Sequence, residues 1–152
     1  AIHQPNSPVI ATGKRDGSKI RLPNGNYLEE TASYFVMVET ATGGFTPALI
    51  TMKSTQLNVS KKWNSMMKTT QFPDGKGGFA TPPMFGVVYN LASTLQKNDK
   101  GSWYGWVVTQ DRIMGQDDKA LYLSAKDFAG NVSKGSVQTK ADVEEKTDST
   151  PY

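Results

Sequence analysis

The sequence predicts a mainly β domain. Three observations predict it: aromatic and β-branched runs bounded by Gly, Pro and Asn clusters, one stretch in which the apolar spacing becomes helical, and the order of these segments along 152 residues. The order is strand (whole or split), strand, strand, helix, strand, strand and a C-terminal helix. It is that of a five-stranded OB-type β-barrel with one helix between strands 3 and 4. An α+β sandwich, one sheet covered by two helices, fits the same order.

The elements follow in turn. Residues 1–8 form a polar, proline-bearing arm. Residues 9–12 and 19–22 are either one bent strand interrupted at residues 13–17 or two short strands, and residues 23–26 (PNGN) are a turn cluster. Residues 32–40 (ASYFVMVET) carry the strongest strand signal of the first third. Four residues (ATGG) join them to residues 45–53 (FTPALITMK), which makes a hairpin the economical reading. Pro47 has no N–H to donate, so it belongs near the strand start or on an edge.

In residues 54–69, Val59, Trp63, Met66 and Met67 recur at helical spacing, with Ser54 or Thr55 placed to cap the helix. Residues 70–83 read as a long loop dense in Gly and Pro, a length associated with function or mobility. Residues 84–95 and 102–111 form a second hairpin through QKNDKG. Residues 117–129 begin with acids suited to a helix start, place Leu121, Ala125 and Phe128 on one side, and stop at Gly130. Residues 1–134 then form one OB-like domain with a short N-terminal arm, and residues 135–152 a flexible tail.

Composition excludes several chemistries. There is no cysteine, so thiolate metal sites, disulfides and thiol catalysis are ruled out, and the one histidine, His3, sits beside the start of the chain. Imidazole metal sites and Ser/His/Asp catalysis need a rigidly held histidine and are not expected. Asp117 and Asp118 at a helix start are capping charges before they are ligands, and no separated carboxylate pair suggests acid–base work. The expectation is a non-enzyme without metal or cofactor. No apolar run is long enough to span a bilayer and no signal peptide is evident, so no membrane partner is expected and the expected location is the cytoplasm.

Charge is uneven. The net +3 resolves into +6 for residues 1–140 and −3 for residues 141–152, a basic body with an acidic tail. Residues 41–97 hold Lys53, Lys61, Lys62, Lys68, Lys76 and Lys97 against one acid, Asp74. Aromatic residues are interleaved with them. Cations beside flat rings are what unpaired nucleic acid requires, one to neutralise phosphate and the other to stack on bases. Most of these rings, Tyr34, Phe45 and Trp63 among them, are expected in the core. The run Trp103-Tyr104-Gly105-Trp106 differs, because alternation puts Tyr104 and Trp106 on one strand face roughly 7 Å apart. They either form a stacking platform or lie under the C-terminal helix. The loop Asp74-Gly75-Lys76-Gly77-Gly78 lacks the spacing of a phosphate-binding loop, although a lysine-tipped loop can lie along a sugar–phosphate backbone.

Residues 46–67 (TPALITMKSTQLNVSKKWNSMM), 82–85 (PPMF) and 98–106 (NDKGSWYGW) resemble small phage-encoded proteins carried with DNA replication and recombination genes. In arrangement the chain is similar to phage single-stranded DNA-binding proteins with an OB-fold and an acidic C-terminal tail, over roughly residues 18–111. The resemblance implies a non-enzymatic, sequence-tolerant partner of single-stranded DNA in phage replication or recombination. The tail would contact replication proteins, and a homo-oligomer is compatible. From the residues themselves, Lys53, Lys61, Lys62, Lys68 and Lys76 are the expected phosphate contacts, and Tyr89, Tyr104 and Trp106 the stacking rings. The competing readings are a protein-binding phage factor such as a host-enzyme inhibitor, a virion structural protein, and a small nuclease.

Overall fold

In the structure, a computed structural model that describes residues 1–137, every strand pairs with a neighbour close in sequence. A single turn of helix, α1 (Pro8–Ala11), opens on a proline, whose fixed φ suits a first helical turn. β1 (Lys14–Asp16), β2 (Lys19–Arg21) and β3 (Tyr27–Glu29) form a three-stranded antiparallel meander. Its tight turns need left-handed backbone at Gly17 and Gly25.

Two long hairpins dominate the molecule. β4 (Thr31–Glu39) pairs with β5 (Phe45–Lys53), and β8 (Val87–Asn98) with β9 (Gly101–Ile113). At about 3.3 Å per residue the 12 residues of β8 extend roughly 40 Å. Between the hairpins in sequence come α2 (Leu57–Thr69) and a small hairpin of β6 (Phe72–Pro73) and β7 (Phe79–Ala80). After β9, α3 (Lys119–Ser133) packs back on the short turn Met84–Gly86 that precedes β8, with Phe85 and Tyr122 ring centroids 5.3 Å apart.

α2 is the hub. Its helical spacing brings Ser60 and Trp63 to one buried face. Trp63 lies 4.4 Å from the Tyr34 ring of β4 and meets the Tyr89 ring of β8 edge-on at 5.6 Å. The Tyr34 hydroxyl shares a 2.6 Å hydrogen bond with Ser60 Oγ and donates to Asn64 Oδ1 at 3.0 Å. Among the described residues the buried apolar side chains are Met52, Trp63, Val87 and Ala125. That is a small core. The chain exposes 11603 Å², against roughly 7,600 Å² for a compact monomer of 16.6 kDa. Granting the fifteen residues beyond 137 the surface of a fully extended chain, roughly 2,400 Å², still leaves an excess of roughly 1,600 Å².

The structure is mainly β, but the five-stranded OB-type barrel is not formed. Among the described residues, the nine strands divide into four separate antiparallel sheets, and no strand pair joins one to another. Barrel closure needs a first strand long enough to pair with distant strands on both sides. Here glycine turns fold that region into a meander that satisfies its own backbone groups. Residues 9–12 also lie in or beside α1 and form no strand. Helices do stand between the two long hairpins and at the C-terminal end, with α1 in addition.

Three local expectations change. Neither Ser54 nor Thr55 caps α2 through its side chain; Ser54 instead takes the left-handed turn from β5 into the helix, with φ 53°. Residues 70–83 contain the β6–β7 hairpin. Gly130 does not end α3, which runs to Ser133, and Gly135 takes the left-handed conformation just beyond. The expected acidic tail lies outside the described residues from 138 onward. Among the described residues, no helix is long and apolar enough to cross a membrane.

Candidate nucleic-acid interface

The β8–β9 register decides what shares a face. Asp99 and Lys100 form a two-residue turn, with the Lys100 N–H donating to Asn98 Oδ1 at 2.8 Å, and each β8 residue then faces a fixed β9 partner. Lys97 opposes Ser102, Leu95 opposes Tyr104 and Ser93 opposes Trp106. Directly opposed side chains share a face, so Lys97, Leu95, Tyr104 and Trp106 lie together. Tyr104 is 74% exposed and Trp106 37%. The result is an ammonium group and two accessible rings on one strip of a projecting finger.

The strip is anchored from behind. Gln56, at the start of α2, accepts the Trp106 backbone N–H at 2.9 Å, which ties the free edge of β9 to the hub. Gly105 lies between the two ring-bearing residues and is buried on the opposite face. A Cβ there would stand 2.6 Å from Gln56 Nε2 and 2.8 Å from Gln96 Nε2. Glycine thus lets α2 approach and turns Tyr104 and Trp106 outward. Trp103 shares the covered face, with its indole N–H enclosed and unpartnered. Rings two residues apart on a pinned strand offer stacking faces roughly 7 Å apart.

The remaining candidates sit elsewhere. Tyr89 packs against Trp63 with its hydroxyl enclosed and unpartnered, and burial pushes its pKa up. Its ring belongs to the hub. Lys53, at the end of β5, pairs with Glu29 at 3.7 Å. Lys61, Lys62 and Lys68 are exposed on α2. Lys61 and Lys68, seven positions apart, project on the side away from Ser60 and Trp63, and Lys68 also suits the negative end of the helix dipole.

Lys76 occupies the β6–β7 turn. There Asp74 Oδ1 accepts the N–H groups of Lys76 at 2.7 Å and Gly78 at 3.1 Å. The carboxylate fills the backbone nest an anion would use, so only the Lys76 side chain is left for phosphate. The five predicted lysines therefore fall on three elements, none of them β8 or β9. Lys97 and Lys100, not among the expected phosphate contacts, both stand in the finger. The signal was present, since a two-residue turn after Asn98 fixes Lys97 on the face of Tyr104.

The described residues carry a net +5. A shallow depression of about 280 Å³ beside Ser18, Glu29, Glu30, Ser54, Thr55 and Leu57 is acid-lined and does not suit phosphate. No group of three or more His, Asp or Glu among the described residues is placed to hold a metal ion. A family model described as Pam3 phage gp34-like protein matches residues 1–138. Neither the curated proteins nor the solved structures contain a match.

Proposed function

Because the chain belongs to the Pam3 phage gp34-like protein family and is therefore a phage protein, we propose that it binds single-stranded DNA without sequence preference during phage replication or recombination. One observation carries this reading: Lys97, Tyr104 and Trp106 share an exposed face of the β8–β9 finger. Bases stack on Tyr104 and Trp106 while Lys97 and Lys100 neutralise phosphates at the tip. Stacking is sequence-tolerant because every base has a π-face. Lysines 61, 62, 68 and 76 add a diffuse positive field that draws the strand in.

Titration with a fluorescent oligo-dT over a salt series tests it. The expected slope of log affinity on log salt is about −0.7 per neutralised phosphate. Saturation should quench tryptophan emission, and Trp106→Phe should remove most of the quench, because Trp63 and Trp103 are shielded. Salt-independent affinity, or a quench that survives Trp106→Phe, rejects the reading.

A second reading, a virion structural or other protein-binding role, is favoured by the exposed apolar side chains Leu95, Tyr104 and Trp106 on the same face. It predicts the protein in purified particles or bound to a host protein, with no oligonucleotide affinity.

A further inference from the structure

We propose that the outer edge of β4 is a homotypic interface, at which a second copy of this chain adds its own β4 in antiparallel orientation. The direction of the backbone groups follows from the loop. Thr40 N–H donates to Gly44 C=O at 2.7 Å and so continues the β4–β5 ladder as a hydrogen-bonded pair. Such pairs alternate with pairs whose N–H and C=O groups point away from the partner strand. Even-numbered β4 residues therefore address β5, and Thr31, Ser33, Phe35, Met37 and Glu39 address the outside. The Ser33 and Thr51 hydroxyls, 3.4 Å apart, fit the closer, outward-pointing kind of pair.

Pro47 opposes Met37 and belongs to this outward set. Its missing N–H leaves the β4–β5 ladder intact and interrupts the free edge of β5 at its middle. The free edge of β4 has no such guard. From Ala32 to Val38 it carries neither proline nor charge, and no strand pairs with it among the described residues. Exposed edges are ordinarily blunted by proline, lysine or a bulge; here one edge of the hairpin is blunted and the other is open.

A second copy fits this edge by symmetry. β4 has 9 residues, and its midpoint, Phe35, is one of the outward set. A two-fold axis there sets Phe35 against its own counterpart, Ser33 against Met37 and Thr31 against Glu39, with no like charges opposed. All five outward residues then find partners, giving about ten hydrogen bonds. Two ribbons, each marginal alone, become one four-stranded sheet in the order β5, β4, β4, β5. The molecule as a whole exposes roughly 1,600 Å² more than a compact monomer, against the roughly 800 Å² that each partner contributes to a standard interface.

Light scattering on the full chain over a concentration series tests this, independently of DNA. The expected mass is twice 16.6 kDa. Phe35→Lys should return the chain to a single copy with its far-ultraviolet dichroism retained, and Leu49→Lys on β5 should remain paired. Should Phe35→Lys fail to fold, a thiol gives a second readout, because the chain has no cysteine of its own. Self-opposed Phe35→Cys residues would have Cα atoms about 5.5 Å apart, within disulfide reach. Oxidation should give a covalent dimer, and Leu49→Cys should not. A single-copy mass at every concentration, or cross-linking through Leu49→Cys and not Phe35→Cys, overturns the proposal. A dimer without DNA affinity rejects the DNA-binding reading alone.

Discussion

Tyr104 and Tyr89 are the same residue type on the same hairpin, yet one is exposed and the other packs against Trp63. Replacing Tyr104 or Trp106 with alanine should weaken oligo-dT binding by about 1 to 3 kcal/mol each, the worth of one base stack, with little change in melting temperature. Tyr89→Phe removes an enclosed hydroxyl that has no partner, so it should leave affinity unchanged and melting unchanged or raised. Fluorescence titration and thermal denaturation read the two effects separately. Gly105 gives a sharper test of how the strip is held. Gly105→Ala pushes a methyl toward Gln56 and should cost about 1 kcal/mol through the lost bond to the Trp106 N–H. Adding Gln56→Ala should then cost almost nothing more, because both changes remove one interaction; additive losses in a double-mutant cycle would refute the coupling.

At the scale of elements, α3 is fastened to the second hairpin by charge as well as by packing. Arg112 of β9 donates to Asp118 Oδ1 at 2.8 Å and Oδ2 at 3.3 Å, and also to Asp111 at 2.6 Å. The bond from the Arg112 guanidinium, reinforced by the Gly115 N–H at 3.1 Å, holds the Asp118 carboxyl below the usual carboxylate range. A carboxyl whose pKa is lower folded than unfolded stabilises the fold above the unfolded value, and that contribution is lost as pH falls through the folded value. Melting temperature should therefore drop between neutral and strongly acidic pH, and Asp118→Asn should reduce the size of that drop. An unchanged drop in the variant would mean that the tether contributes nothing. The hairpins and α2 were legible in the sequence, because alternation, spacing and turn chemistry act within a few residues. The short α1 was not, since residues 9–12 are apolar and β-branched and only the preceding proline favours a helical turn.

For the whole molecule, two long ribbons meet at a small core built around Trp63, so stability depends strongly on whatever covers the open edges. If copies pair through β4, melting temperature should rise with protein concentration, because association stabilises only the folded state; a concentration-independent midpoint would count against it. A charge sum along the chain cannot say on which element each cation stands; the register set by the Asp99-Lys100 turn is what brings Lys97 into the strip. By itself the sequence determined the mainly β content, the two hairpins, the helix between them and the placing of Tyr104 and Trp106 on one strand face, all consequences of short-range periodicity and turns. Only the tertiary structure decided that the sheets stay open, that the face of Tyr104 and Trp106 is exposed, that Tyr89 faces Trp63 and that the predicted lysines stand on elements other than β8 and β9. Those outcomes depend on which surfaces meet across tens of residues, where local propensity carries no information.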